Sequence, residues 1–412
     1  MNSRTHSTKN LFQVALSICI WSAAPVYADR PSCSLVQGAL ADVVAVRGLS
    51  STEEVACSIG SRTDVERFLK ELVSKKLPPQ KLEYEGLVYG AIGIIPDDYP
   101  YETEIVDLYV GQIGGYYDPD TKRYVMADWM PQSLQTLIAR HELTHALQDR
   151  RYGLTKFLDY QNESGDELLA HSSLIEGDAT AVTTDIELKS SGRPPLRSRG
   201  SVAEILREQA STMGVSAQTT RTPPGLQALM LFPYTQGFSF VHALLRRGGY
   251  AEVDRAFQAP PQSSREILHP SLYVARKGAP NNPTLIELAA EADSRQPIYH
   301  DTIGEFGVDI VLRGGSAQQS AQSRKGSEGW LGDRIGIFDV EKGEQLIVWL
   351  IHWERDVDAQ EFVTTLRSVS TSRYGAAPSS ERTRLSQSKA MSLRVEGSRV
   401  VARYWISSSN PK

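Results

Sequence analysis

The sequence predicts an α+β protein, and three observations carry that expectation. Apolar residues recur at helical spacing through most of Asp29 to Asp98, again along Ser133 to Tyr152, and from Ser164 onward. Short apolar and β-branched runs flank turn sequences between Ile105 and Ala127 and twice after Trp330, the pattern of hairpins. A polar, low-complexity stretch, Gly314 to Ser327, reads as a linker between a central part and a smaller C-terminal one. The expected division is 1–28 as an export signal, 29–98 as a helical N-terminal region, 99–312 as a central domain and 328–412 as an α+β C-terminal domain.

The first segment is justified by Arg4 and Lys9 ahead of the apolar stretch Leu11 to Pro25, followed by Val26-Tyr27-Ala28 with small residues where a signal peptidase reads. Cleavage after Ala28 and a secreted or periplasmic location follow. Leu16-Ser17-Ile18-Cys19 has the outline of a lipoprotein signal, but Ile18 is not the small residue expected before the cysteine, so a lipid anchor at Cys19 ranks second. No later segment offers about 20 consecutive apolar residues, so no stable membrane insertion is expected. Cleavage leaves Cys33 and Cys57, an even pair that an oxidising compartment joins as a structural disulfide. The formal charge is −5 with both signs interspersed, which gives nucleic acid no basic surface to bind.

In the N-terminal region Val65, Phe68, Leu69 and Leu72 predict a helix over Thr63 to Lys75. Ile105 to Ala127 is expected to be a β-hairpin turning at Tyr117-Asp118-Pro119-Asp120-Thr121-Lys122. From Ser133 to Tyr152, Leu134, Leu137, Ile138, His141 and His145 fall on one helical stripe, and Gly153 is placed to cap it. Ser164 with Glu167 opens the next helix as a capping box, and Glu176 lies about halfway along it. Ser190 to Gly225 reads as an exposed insertion around one helical segment, Val202 to Met213, and helix resumes at Tyr234 to Arg247. At the C-terminus, Arg334 to Val340 and Gln345 to Trp353 form a hairpin around Glu341-Lys342-Gly343-Glu344. Asp356 to Leu366 is a helix, and Ala390 to Ile406 a second hairpin turning at Gly397-Ser398.

The chemistry centres on His141-Glu142-Leu143-Thr144-His145. Histidines four apart project from one helix face and can share one Zn²⁺, a metal that takes imidazole readily. Glu142 leans over the open position, where a zinc-activated water with a pKa of about 7 needs a general base before it attacks a peptide carbonyl. The plain alternative is a surface helix with two ordinary histidines. Both rings continue the stripe of Leu134 and Ile138, however, so they face inward, where unpaired imidazoles are costly. Glu176, 31 positions after His145, is the candidate third ligand. Asp178 is turned about 200° from it on the helix and His171 about 140°, so neither reaches the same ion.

The chain resembles the gluzincin class of HExxH zinc metallopeptidases, with a thermolysin-like metal motif, and is most similar to a family of bacterial secreted metallopeptidases. The matching blocks are Gly114-Gly115-Tyr116-Tyr117-Asp118-Pro119, His141 through Asp149, Glu176-Gly177-Asp178-Ala179, Tyr234 with Gly237 and Phe238, Leu268-His269-Pro270, and Gly329-Trp330-Leu331-Gly332-Asp333-Arg334. The resemblance implies a zincin-like domain of hairpin and active-site helices, zinc at His141, His145 and Glu176, and catalysis by Glu142. It also implies a peptide or protein substrate along an edge strand, and Asp149 as orienting partner of a ligand histidine. The longer thermolysin signature around the glutamate ligand is absent. Tyr234 and His269 are the candidates for stabilising the developing oxyanion. The other expectation is a catalytically silent binding or scaffold protein on the same fold, against which Glu142 speaks, because such a module has no use for a base beside two histidines.

Overall fold

The computed structural model describes residues 16–18, 32–50, 54–78, 80–157, 164–212, 222–340 and 343–407. Outside them lie the cleavage site after Ala28, Cys19, part of the 190–225 insertion and the turn residues Glu341 and Lys342. The architecture is α+β, as expected. It begins with β1 (Leu16–Ile18), α1 (Val36–Arg47), β2 (Ala56–Gly60), α2 (Arg62–Lys76), α3 (Lys81–Ile92) and α4 (Tyr101–Gln112), then the hairpin β3 (Ile113–Asp118) and β4 (Arg123–Ala127). These strands form a four-stranded sheet in the order β1-β3-β4-β2, with β2 parallel to β4 and the other pairs antiparallel. A disulfide joins Cys33, just ahead of α1, to Cys57 in β2, as the cysteine pair predicts.

The hairpin is shorter than its apolar run suggests: Ile105 to Gln112 belongs to α4. Ile105 and Leu108, three apart, are both buried, so helical spacing prevails over β-branching there. Next come α5 (Gln132–Tyr152), ended by Gly153 in the left-handed conformation, and α6 (Gly165–Ser190), opened by the Ser164 side chain accepting from the Glu167 N–H. Helix α5 lies directly on the hairpin. A Cβ added at Gly114 would stand 2.7 Å from Ile138, so this close approach requires glycine.

The chain continues through α7 (Ala203–Thr212), α8 (Pro224–Gly248), α9 (Tyr250–Gln258), α10 (Ser264–Leu268), α11 (Pro270–Val274) and α12 (Leu285–Ala290). Helix α8 starts ten residues before the predicted boundary, because Pro224 sits at the helix start, where proline is favoured, and Pro233 is tolerated inside it. It is long and apolar enough to cross a membrane by length and composition, yet Phe232, Phe238 and Phe240 are packed in the core. It crosses α6 backbone to backbone: a Cβ on Gly177 would stand 2.3 Å from the Gly237 carbonyl, and one on Gly237 2.2 Å from the Ser173 carbonyl.

The C-terminal part comprises β5 (Tyr299–Asp301), α13 (Gly304–Leu312), α14 (Ala321–Ser327), β6 (Trp330–Asp339), β7 (Glu344–Trp353), α15 (Asp356–Tyr374), β8 (Thr383–Arg384), β9 (Lys389–Glu396) and β10 (Arg399–Ser407). Its strands form an antiparallel sheet in the order β5-β6-β7-β10-β9-β8. Half of the expected linker is thus the helix α14, started by a capping box between Ser320 and Ser323. Helix α15 runs past the predicted Leu366 to Tyr374, where Gly375 caps it. One apolar cluster extends from Val36 in α1 through α5, α6 and α8 to Tyr404 in β10, and a second, with Leu288, Phe338 and Val348, fills the space under α12. Asp333 is buried in this sheet and accepts from the Ile303 and Gly304 N–H groups and from the indoles of Trp330 and Trp349.

Candidate metal centre

Helix α5 buries its ligand-bearing face because that face carries the apolar stripe, so His141, Glu142 and His145 enter the interior with Ile138 and Leu143. The Gly177–Gly237 crossing fixes α6 against α8, and Glu176 projects toward α5. Its Oε2 lies 3.0 Å from His141 Nε2 and 3.5 Å from His145 Nε2. One donor atom from each of the three residues falls within 4.8 Å of the others. The two imidazoles meet edge to face, with centroids 4.8 Å apart.

The electrostatics follow from this convergence. Burial disfavours charge on every member, but one carboxylate between two imidazoles holds a proton near itself. Burial keeps the His141 ring below its ordinary pKa. His145 overcomes its burial because Glu176 and Glu142 both face it, and is pushed up to about 9. Glu176, despite burial, is drawn down to about 2 by the His145 and His141 rings. Two imidazoles and a carboxylate match the donor set of a catalytic zinc site. His145 Nε2 is also buried without a hydrogen bond, the position a metal would satisfy. The residues present therefore fit a divalent metal.

Glu142 is fully buried, and its Oε2 accepts the Tyr117 N–H from β3 at 2.9 Å. The base candidate is thereby fixed to the hairpin strand. Asp149 does not serve the histidines: it accepts from the Tyr117 hydroxyl, Lys122 Nζ and the Leu154 N–H, and so ties the hairpin to the end of α5. Gln148 takes the orienting role instead, with Oε1 2.8 Å from His145 Nδ1. Its Nε2 donates to the Ile175 carbonyl and to Asp178. Asp178, turned away from the triad as helical geometry requires, is paired with Arg47 of α1. His171 bonds the Phe157 carbonyl.

The Tyr234 ring stands 6.3 Å from that of His141. Together with Glu176 it lines a cavity of about 290 Å³, walled by Leu168, Leu169 and Ile175 of α6, Leu226 and Met230 of α8, and Val88 and Ile105 of α3 and α4. His269 is not part of this lining; its Nε2 lies 2.7 Å from Glu305 Oε1. That carboxylate raises the His269 pKa above its ordinary value.

Residues 108–199 match the model of a family described as a putative metallopeptidase family. The matched stretch contains His141, Glu142, His145 and Glu176. Over it, the chain is similar to that family. Residues 294–409, which hold all six strands of the C-terminal sheet, match a family described only as a domain of unknown function. No curated protein and no solved structure matches the chain.

Sequence reasoning missed Gln148 and Arg47. Gln148 stands three residues after His145, one helical turn along, and that spacing was a usable clue. Arg47 ends an apolar helix 131 positions from Asp178, and nothing local marks it.

Proposed function

We propose that this chain is an exported zinc metallopeptidase of the gluzincin type, with His141, His145 and Glu176 as ligands and Glu142 as general base. The observation that carries the reading is the meeting of the three ligand atoms within 4.8 Å beside a base candidate on the same helix. A bound zinc would lower the pKa of its water to about 7 and make it a nucleophile toward a peptide carbonyl. The remaining work belongs to the chain. Glu142, oriented by the Tyr117 N–H, takes the proton of the attacking water and delivers it to the leaving amine. Tyr234, beside His141, supplies a hydroxyl to the oxygen that gains charge.

An extended substrate adds to the outer edge of β3, antiparallel to it, as Leu16–Ile18 of this chain does in pairing Leu16 with Tyr116 and Ile18 with Ile113. The cavity beside Glu176 takes an apolar side chain of that substrate. Export rests on the N-terminal signal pattern, and the Cys33–Cys57 bridge agrees with an oxidising compartment.

The deciding experiment measures zinc content and peptide hydrolysis on the purified mature protein, wild type beside Glu142→Gln and Glu176→Ala. The expected result is one zinc per wild-type chain with turnover, zinc without turnover in Glu142→Gln, and lost zinc in Glu176→Ala. A wild type that binds no zinc overturns the proposal. One that binds zinc yet cleaves nothing in a broad peptide library points to the scaffold reading.

A further inference from the structure

We infer that Arg47, on the N-terminal helix α1, is a positioning residue for the metal centre, acting through Asp178 and Gln148 on His145. This rests on the metal-site reading above and extends it to a part of the chain 94 residues before the first ligand, outside the stretch that resembles a metallopeptidase. The argument is one of hydrogen-bond direction. Arginine only donates, so Asp178 must accept, from Arg47 Nε at 3.0 Å and from Gln148 Nε2 at 3.0 Å. The Ile175 carbonyl also accepts from Gln148 Nε2, at 3.1 Å. With its amide NH₂ committed to two acceptors, Gln148 turns its carbonyl oxygen to His145, 2.8 Å from Nδ1. Nδ1 must then carry a ring hydrogen, which leaves Nε2, on the Glu176 side of the ring, as the nitrogen available to a metal. Every member is buried: the Arg47 and Asp178 side chains have no exposure, and Gln148 has none.

Arg47 is itself over-determined. Its Nη1 pairs with Asp254 of α9 at 2.8 Å, and its Nη2 donates to the Tyr152 hydroxyl at the end of α5. The guanidinium therefore ties α1, α5, α6 and α9 together behind the ligands, and the disulfide holds the start of α1 to β2. Geometry of this kind assigns the N-terminal region to the working centre, so its removal would disorient a ligand rather than uncover one.

The test measures zinc affinity by competition with a chromogenic chelator, together with the visible spectrum of the cobalt-substituted protein. The variants are Gln148→Met, Asp178→Asn and Arg47→Lys, with Val43→Ala, a buried apolar residue one turn before Arg47 that makes none of these hydrogen bonds, as the packing control. Loss of an orienting partner typically costs about 10- to 100-fold in metal affinity. Gln148→Met is expected in that range and Arg47→Lys at its lower end, both with altered cobalt bands. Val43→Ala should lower the melting temperature and leave zinc affinity within about twofold of wild type. If Arg47→Lys does not fold, Asp178→Asn, which keeps Arg47 but removes the charge it binds, carries the same decision. Wild type that binds zinc, with folded variants that bind it as tightly, overturns this inference alone. A wild type without zinc overturns the reading beneath it as well.

Discussion

Glu176 and Asp333 are both buried carboxylates, and their surroundings differ in kind. Asp333, in the six-stranded sheet, is surrounded by four N–H donors, two from backbone and two from indoles, and burial still raises its pKa to about 6. Glu176 has no such cage; two imidazoles face one of its oxygens, and they draw it down to about 2. A carboxylate whose acceptor sites are filled from its own chain is structural, holding α13 to the sheet. One whose neighbours are themselves ligand atoms forms a site. The same contrast extends outward. Around Glu176 the buried polar groups are linked in series, through His145, Gln148, Asp178 and Arg47, whereas the two indoles that donate to Asp333 are themselves packed in the apolar core.

Four changes would break or sharpen that contrast. The largest is Glu142→Gln, for which turnover is expected to fall about 10²- to 10⁴-fold, the usual worth of a general base, with zinc content and melting temperature unchanged. A parallel loss of stability would make Glu142 structural, like Asp333. Gly177→Ala comes next: the new methyl would meet the Gly237 carbonyl at 2.3 Å, and forcing α6 off α8 should cost about 3 kcal/mol in urea unfolding and weaken zinc binding with it. Trp349→Phe removes one of the four donors to Asp333 and should cost about 1–2 kcal/mol while zinc affinity stays as in wild type. Zinc loss in that variant would show the two regions to be coupled.

The last change concerns pH. Burial, with Asp333 and Glu305 nearby, raises the Asp166 carboxyl to about 8, and the Ser264 N–H only partly offsets this. The native state therefore keeps a proton that the unfolded chain releases near pH 4. Its contribution to stability is complete below about pH 4 and is lost as pH rises toward about 8. Melting temperatures measured over that window should fall with rising pH in wild type and fall less in Asp166→Asn, which retains an acceptor for Ser264. Equal slopes would remove Asp166 from the account.

What the sequence revealed was local. The α5 stripe with Gly153, the Ser164 cap and the turns at 118–122 and 397–398 are set by neighbouring residues, and the structure has them where the pattern puts them. HExxH spacing and the 31-residue step to Glu176 were legible for the same reason, since both lie on regular helices. Ile105 to Gln112 was not, because a short apolar run reads equally as strand or buried helix. The first turns of α8 were hidden behind Pro233. The parallel pairing of β2 with β4 and the reach of Arg47 to Asp178 depend on chain segments far apart in sequence, which carry no periodic mark.

The indole cage around Asp333 has a practical corollary. Trp330, Trp349 and Trp353 are all buried in or beside that sheet, and Trp405 lies in its strand β10, while α5 and α6 contain no tryptophan at all. Intrinsic tryptophan fluorescence of this protein is consequently weighted toward its C-terminal sheet, with Trp129, packed against the cluster of Met130 and Ile138, as the reporter nearest α5. The centre between α5 and α6 carries no tryptophan of its own, and a coloured metal bound there would report it directly.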